Sequence, residues 1–387
     1  MYARCLGFYE CEEKTMSGST QDKDKHTRFE GIVLDGVSRL DEIHADFDNR
    51  VLLHAGPPFV SGDIPTPVRN SAINALLFEG LATTSAEADD LISNGNIDLQ
   101  PAQNWNVTTP LAQVVSASMP LFAISDGENR AYSPLLEGAP PALRFGSPDA
   151  VCLDNLRLHA SFAQVELIKS LQGKPVCLAT VIRIALSEGN ECHTLTDRAN
   201  AALLDRFQGL SDEYRDLLAS TPGFVLPVLM GACRCLLKKG KGSVEAVGGN
   251  GQDFGVRLRG QSDWLTVPAR VPDGPRITGK ADQPSLPAIG DSAVIDFCGL
   301  GGQALESAPT LVEEWQAFLP KSWASRSETV LDPDTGKVCP SRVNRYQTPP
   351  IINLAIVGAG SRGGILGKGF YQPDLGLFRE IEGGIAS

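Results

Sequence analysis

The chain has 387 residues, with 46 Asp and Glu against 34 Lys and Arg and a formal net charge of −12 at pH 7. That balance argues against a nucleic-acid partner, because phosphate backbones are held by Lys and Arg surfaces. A hydrophobic fraction of 42% excludes global disorder, and the length predicts two or three domains.

Nine cysteines are scattered, odd in number and never spaced as C-x-x-C. They read as reduced thiols of a cytoplasmic protein, most of them small buried hydrophobes, and not as a disulfide framework or a metal set. The apolar stretch from Phe224 to Leu237 is broken by Arg234 and is too short to span a bilayer, so no membrane partner is expected. Residues 1–30 lack the apolar core of a signal peptide and read as a flexible leader.

In chain order, Ile32, Val33, Val37, Leu40 and Ile43 have helical spacing, which predicts a helix across Gly31 to Phe47. Val51 to Ala55 reads as a buried strand, stopped by Gly56-Pro57-Pro58, which cannot continue a ladder. A helix is predicted from Thr66 to Leu81, with Pro67 in its first turn. Another starts at Ser85, whose hydroxyl suits an N-cap before Glu87, Asp89 and Asp90. Val114 to Ser125 suggests a helix running into a strand. Ala150 to Lys239 reads as successive helices punctuated by Pro175, Gly189, Pro222-Gly223 and Pro227. Beyond Lys238-Lys239-Gly240-Lys241-Gly242 come short strands at Val244–Val247, Phe254–Leu258 and Trp264–Val267, the second with period-two alternation. The fold class expected is mixed α/β. The expected domains are an α/β unit over 31–149, a helical unit over 150–240 and a glycine-rich α+β unit over 241–387.

Four glycine-rich segments crowd the last third: 248–255, 290–304, 358–364 and 367–369. Bare backbone N–H groups can approach an anion there. None is a Walker loop, and the G-x-G-x-x-G likeness of 358–363 comes too near the end of the sequence for a full βαβ unit. Within the helical stretch, Gly189-Asn190-Glu191-Cys192-His193 is the most polar cluster. A carboxylate beside an imidazole can orient it for proton transfer, and a solvated capping loop is the plainer alternative. His54 ends a strand, where α/β ligand sites collect. Arg144 and Tyr132 are residue types that bind carboxylate or phosphate.

Several collinear segments resemble the AllG/YlbE family, which is associated with oxamate carbamoyltransferase and with FdrA-like partner proteins. They are Leu52 to Pro58, Asn74 to Gly80, Ser116 to Pro120, Arg144-Phe145-Gly146, Gly189 to His193, Gly249-Asn250-Gly251 with Phe254 to Arg257, and Gly290 to Ala293 with Gly301-Gly302. The resemblance implies transfer of a carbamoyl group between carbamoyl phosphate and a small anionic acid of the oxamate or oxalurate type. It implies an FdrA-like protein partner and leaves a homo-oligomer open; no cofactor or metal is called for. The candidate catalytic residues are His193 as base, Glu191 holding it, and Asp291. Candidate substrate contacts are His54, Arg144, Asn250, Gly251, Arg257, Ser292, Gly301 and Gly302. The chain departs from the family at Pro101 to Asn106, where relatives carry a histidine-rich stretch, at Thr108 to Ala112, where they read Val-Gly-Pro-Met, and at Asn353 to Gly360, which lacks their His and Lys. A non-catalytic subunit that binds a small acid is the alternative reading.

Overall fold

The computed structural model describes residues 25–60 and 62–385. Residues 1–24 of the expected leader lie outside the described residues, whereas Lys25–Phe29 form a 3-10 turn that places Phe29 in the core.

The expected helix across 31–47 is replaced by strand β1 (Val33–Ser38) and a single turn, α1 (Leu40–Ile43). The reason is long-range. β1 is an inner strand flanked by β4 (Leu121–Ser125) and β6 (Val176–Cys177), and β5 (Arg130–Pro134) completes the antiparallel order β5-β4-β1-β6. Gly36, a poor helix residue, sits at an irregularity in the β1–β4 register. The helix expected before β4 is also absent. Ser116 Oγ and the Ser118 N–H and Oγ all donate to the Glu79 carboxylate at 2.6–2.9 Å. Val115 exchanges backbone bonds with Leu53. Serines that satisfy their polar groups this way compete with helix.

Strand β2 (Val51–His54) forms as expected and pairs in parallel with β3 (Asp98–Pro101). Helices α2 (Thr66–Phe78) and α3 (Ser85–Ser93) lie between them. The N-cap of α3 is Thr84, one residue before the one expected, and its side chain accepts from the Glu87 N–H.

The helical stretch contains α4 (Ala150–Phe162), which runs through a π turn into α5 (Ile168–Leu171). It continues with α6 (Leu178–Ser187), α7 (Asp197–Leu204), α8 (Asp212–Ser220) and α9 (Leu226–Lys238). Nearly every residue of α9 is buried, as an all-round apolar helix must be. Gly231 lets it lie against β4: a Cβ there would stand 2.5 Å from Ile124 Cδ1.

The strands expected after residue 240 form β7 (Val244–Asn250), β8 (Asp253–Leu258) and β9 (Trp264–Pro268). With β10 (Ile289–Gly290) they make the antiparallel order β10-β7-β8-β9. The last third continues with α10 (Ala293–Phe297), α11 (Pro309–Trp315), α12 (Arg326–Val330) and α13 (Pro340–Tyr346). The hairpin β11 (Ile352–Val357) and β12 (Ile365–Tyr371) and helix α14 (Leu375–Ile385) end the fold. The glycine-rich segment 358–364 is that hairpin's turn, closed by Gly358 N–H donating to the Gly364 carbonyl at 2.9 Å. The architecture is mixed α/β, with several small sheets. One apolar cluster runs from Phe29 through α9 and α10 to Ile381, so the Gly189–His193 loop, the start of α10 and the β11–β12 hairpin close around shared packing. Among the described residues, no helix is long and apolar enough to cross a membrane.

Candidate functional site

A cavity of about 510 Å³ opens where these pieces meet. Its polar lining includes His193, Thr194, Thr196, Asn200, Ser292, Arg144 and Lys368, with Asp197 beside them. Its apolar lining comes from the loops around Leu111 and Leu136, from α7 and the α8–α9 connection, and from Leu354 and Ile365 of the hairpin.

His193 is placed by the loop between α6 and α7. That loop turns sharply, with Cys192 at φ 73°. Glu191 holds it together from within. Its buried carboxylate accepts from the backbone N–H of Thr194 and of Leu195 (2.9 Å) and from Asn353 Nδ2 (2.9 Å). The sequence reading paired Glu191 with His193; the structure corrects the pairing. His193 Nδ1 meets Asp296 Oδ2 at 2.8 Å. Asp296, on α10, is fully buried, and its Oδ1 accepts the Gly302 N–H at 2.7 Å and the Asn353 N–H at 3.1 Å. An ionised carboxylate only accepts, so Nδ1 carries the proton and Nε2 is the ring nitrogen left as acceptor for the cavity. Nothing local in the sequence joins residues 193 and 296. The one available signal was a carboxylate inside the otherwise apolar segment Ala293–Phe297.

Gly301 and Gly302 serve this arrangement from behind. Gly301 has φ 54°, and a Cβ on it would stand 2.3 Å from Asp296 Oδ1. A Cβ on Gly302 would stand 2.2 Å from the Ile351 carbonyl oxygen. Both glycines therefore allow backbone to approach the buried carboxylate and β11.

Arg144 lines the cavity, but its guanidinium is largely committed. Nη1 donates to the Gly138 carbonyl at 2.9 Å and Nη2 to the Pro222 carbonyl at 3.4 Å, and the group lies over the Phe145 ring. Burial draws Arg144 down from its ordinary range and pushes Glu137, 3.9 Å away, upward; each charge partly offsets the other's penalty. Lys368, exposed on β12, makes no ion pair among the described residues. The sequence reading met it only within a failed phosphate-loop motif. Asp197 is exposed and lies 3.4 Å from the Arg198 Nε.

Ser292 belongs to the cavity, whereas its neighbour Asp291 points elsewhere. The Asp291 carboxylate accepts from the Gly56 N–H (2.9 Å), Gln103 Nε2 (2.7 Å) and the Thr109 N–H (3.0 Å). Burial nonetheless pushes its pKa up to about 7. It joins the β2 turn to the start of α10.

The remaining candidates are absent from the cavity lining. Asn250 closes the β7–β8 turn by accepting from the N–H groups of Gln252 and Asp253, and its Nδ2 donates to the Pro57 carbonyl at 3.0 Å. Gly251 occupies that turn at φ 86°. Arg257 donates to Asn104 Oδ1 at 2.7 Å and to Glu245 Oε1 at 3.2 Å, a carboxylate shared with the buried Arg234. His54 is buried against Phe59, with Nδ1 2.8 Å from the Ala55 carbonyl; burial lowers its pKa to about 4. Tyr132 lies within β5. The two arginines and the imidazole that the sequence reading gathered into one pocket thus divide: Arg144 and His193 share the cavity, and Arg257 does not.

Comparison with known proteins agrees with the collinear motifs. A family model described as oxamate carbamoyltransferase subunit AllG matches residues 97–292. The oxamate carbamoyltransferase subunit AllG of Escherichia coli (strain K12) is 30% identical over 283 residues, which is 68% of this chain and 67% of that one. This chain belongs to the AllG family. Another relative, the uncharacterized protein YahG of the same strain, is 27% identical across 90% of this chain and 81% of its own. A crystal structure of a conserved protein of unknown function from Enterococcus faecalis V583 superimposes with a TM-score of 0.83 at 24% identity, covering 94% of this chain and 96% of that one. It shares the fold. The matched segment of the AllG family model ends at Ser292, so Asp296, Lys368 and the β11–β12 wall of the cavity lie beyond it. Among the described residues, no group of three or more His, Cys, Asp or Glu side chains is arranged to hold a metal ion.

Proposed function

We propose that this chain is a cytoplasmic carbamoyltransferase-type subunit that binds a small amide or ureido acid and transfers a carbamoyl group between it and phosphate. The observation that carries the reading is the His193–Asp296 pair in the wall of a cavity that also holds Ser292 and Lys368. An amide nitrogen is a weak nucleophile because its lone pair is delocalised into the carbonyl. Its attack needs a base that removes the proton as the new bond forms. In the transfer, the amide nitrogen of an oxamate-type acid attacks the carbamoyl carbon of carbamoyl phosphate, and its proton passes to His193 Nε2. The carbon–oxygen bond to phosphate breaks, the phosphate leaves with the electron pair, and the ureido acid remains. Asp296 stabilises the imidazolium so formed. Lys368 suits a substrate carboxylate, and Ser292 Oγ and Asn200 Nδ2 are donors of the kind that meet a developing oxyanion. The five buried cysteines among the described residues, none of them in a disulfide, fit a reducing compartment.

A second reading has its own support. Arg144 is committed to backbone carbonyls, so Lys368 is the cavity's uncommitted cation among the described residues. Phosphate recognition usually draws on several charged or N–H donors. In this reading the chain binds the acid and an FdrA-like partner supplies the phosphate contacts.

The test is phosphate release from carbamoyl phosphate with oxamate, and the reverse reaction of oxalurate with phosphate, using the purified chain with and without such a partner. Turnover by the chain alone is expected from the first reading; turnover only with the partner supports the second. His193→Ala should lower turnover by about 10²–10⁴-fold while oxamate still raises the melting temperature. Undiminished turnover in that variant removes His193 as the base.

A further inference from the structure

The cavity is larger and more apolar than a two-carbon acid requires. At about 510 Å³ it falls in the range, about 300–1,000 Å³, that encloses ligands of drug size. Its apolar wall is gathered from several segments. Ala201 and Leu204 come from α7, Ala219 from the end of α8, Pro222 from the α8–α9 connection and Leu226 from the start of α9, with Leu136 from the loop after β5. The polar groups within this wall are partly turned to the protein itself. Thr221 Oγ1 donates back to the Leu217 carbonyl at 2.8 Å, and Asn200 Oδ1 accepts the Val225 N–H at 2.9 Å. Arg144 carries its charge here but directs its donors at the carbonyls of Gly138 and Pro222. The groups with free capacity are His193 Nε2, Ser292, Lys368 and Asn200 Nδ2; all but Asn200, which shares α7 with Ala201 and Leu204, come from other elements: the α6–α7 loop, the start of α10 and β12. Water against such a wall is displaced favourably by hydrocarbon.

We infer that the acid bound here carries an apolar substituent about the size of a leucine or phenylalanine side chain. The substituent lies against the wall formed by Leu204, Ala219, Pro222 and Leu226, and the amide or ureido group lies at His193. This rests on the reading that the cavity holds a small amide or ureido acid, and it names the class to which that acid belongs. Oxamate and oxalurate would occupy the polar end alone.

Binding decides it without turnover. The full chain is titrated by calorimetry with N-carbamoylglycine, N-carbamoyl-leucine, N-carbamoyl-phenylalanine and oxalurate. The leucine and phenylalanine derivatives should bind on the order of 10- to 100-fold more tightly than the glycine derivative, the gain expected when a side chain of that size leaves water. Ala201 and Ala219 are exposed helical positions, where leucine is a good helix former. The variants A201L and A219L should therefore fold, as circular dichroism would verify, and should erase the gain by filling the wall. A219E, which sets a carboxylate there, should do the same. Equal affinity for the glycine and leucine derivatives overturns the inference, as does a preference that survives in the folded filled variants. Oxamate turnover without any apolar preference leaves the transfer reaction standing and removes this inference. An apolar preference with no turnover of any of these acids does the reverse.

Discussion

Asp296→Asn tests the centre of the site most directly. Both backbone N–H groups that reach this side chain, from Gly302 and Asn353, donate to Oδ1. An asparagine would keep its carbonyl oxygen there and so place its NH₂ where Oδ2 now faces His193 Nδ1 at 2.8 Å. Two donors cannot face each other at that distance, so the imidazole must move its proton from Nδ1 to Nε2. The nitrogen that faces substrate then has no lone pair to accept with. General-base contributions of about 10²–10⁴-fold correspond to a barrier raised by about 3–5 kcal/mol. The fold should survive, because the two backbone bonds are retained and the side-chain volume is nearly unchanged. The assay is single-turnover transfer between carbamoyl phosphate and oxamate, with an FdrA-like partner present, beside nitrogen-15 spectra of the labelled histidines. The expected result is a loss of that size, a melting temperature within a few degrees of the parent and a His193 tautomer shifted to Nε2–H. Wild-type turnover with an unaltered pH profile, or an unchanged tautomer, would refute the reasoning.

Further outcomes follow from groups around the site. Gly301→Ala should cost on the order of 1–3 kcal/mol in urea denaturation and lower turnover as well, because its Cβ would press on Asp296 Oδ1 from a backbone at φ 54°. His159 is fully buried beside Tyr214 with neither ring nitrogen bonded among the described residues, and burial lowers its pKa to about 4. A histidine depressed below its unfolded value near 6.5 binds its proton more readily in the unfolded chain. Stability is therefore full above pH 6.5 and is lost as the pH falls toward 4. Lowering the pH from 7 to 5 should cost about 2 kcal/mol through this one group, and His159→Phe should remove that share of the loss. Asp291 acts with the opposite sign. With its pKa pushed up to about 7, the folded state favours its proton, so its contribution declines as pH rises from about 4 through 7. Asp291→Asn should flatten the stability curve in that window, and a parallel curve would contradict the burial argument.

Local chemistry was legible in the sequence wherever neighbours in the chain decide the outcome. The Gly56-Pro57-Pro58 stop after β2, Pro67 in the first turn of α2, the helical run after Ala150 and the alternation of β8 are such features. So was the collinear set of motifs that marks the family, since motif order survives when single residues change. The α3 cap was misjudged by one residue because Thr84 and Ser85 are both competent caps and only the backbone angle separates them.

Tertiary structure decided the rest, because apolar spacing says that a face must be buried but not against what. Ile32, Val33 and Val37 have helical spacing, yet pairing with β4 and β6 on either side makes the segment an inner strand. For buried polar groups the distinction is sharper. Within five residues, Glu191 and His193 looked like partners, but the loop turns Glu191 onto its own backbone N–H groups and gives His193 to Asp296, 103 positions away. Arg257 had the right chemistry for an anion, and Glu245 and Asn104 already hold it. The sequence by itself determined which groups this protein has available and the local segments that carry them. Which of those groups face a common cavity was decided only when distant elements packed, since a buried donor or charge takes whichever partner the packed chain brings within about 3 Å.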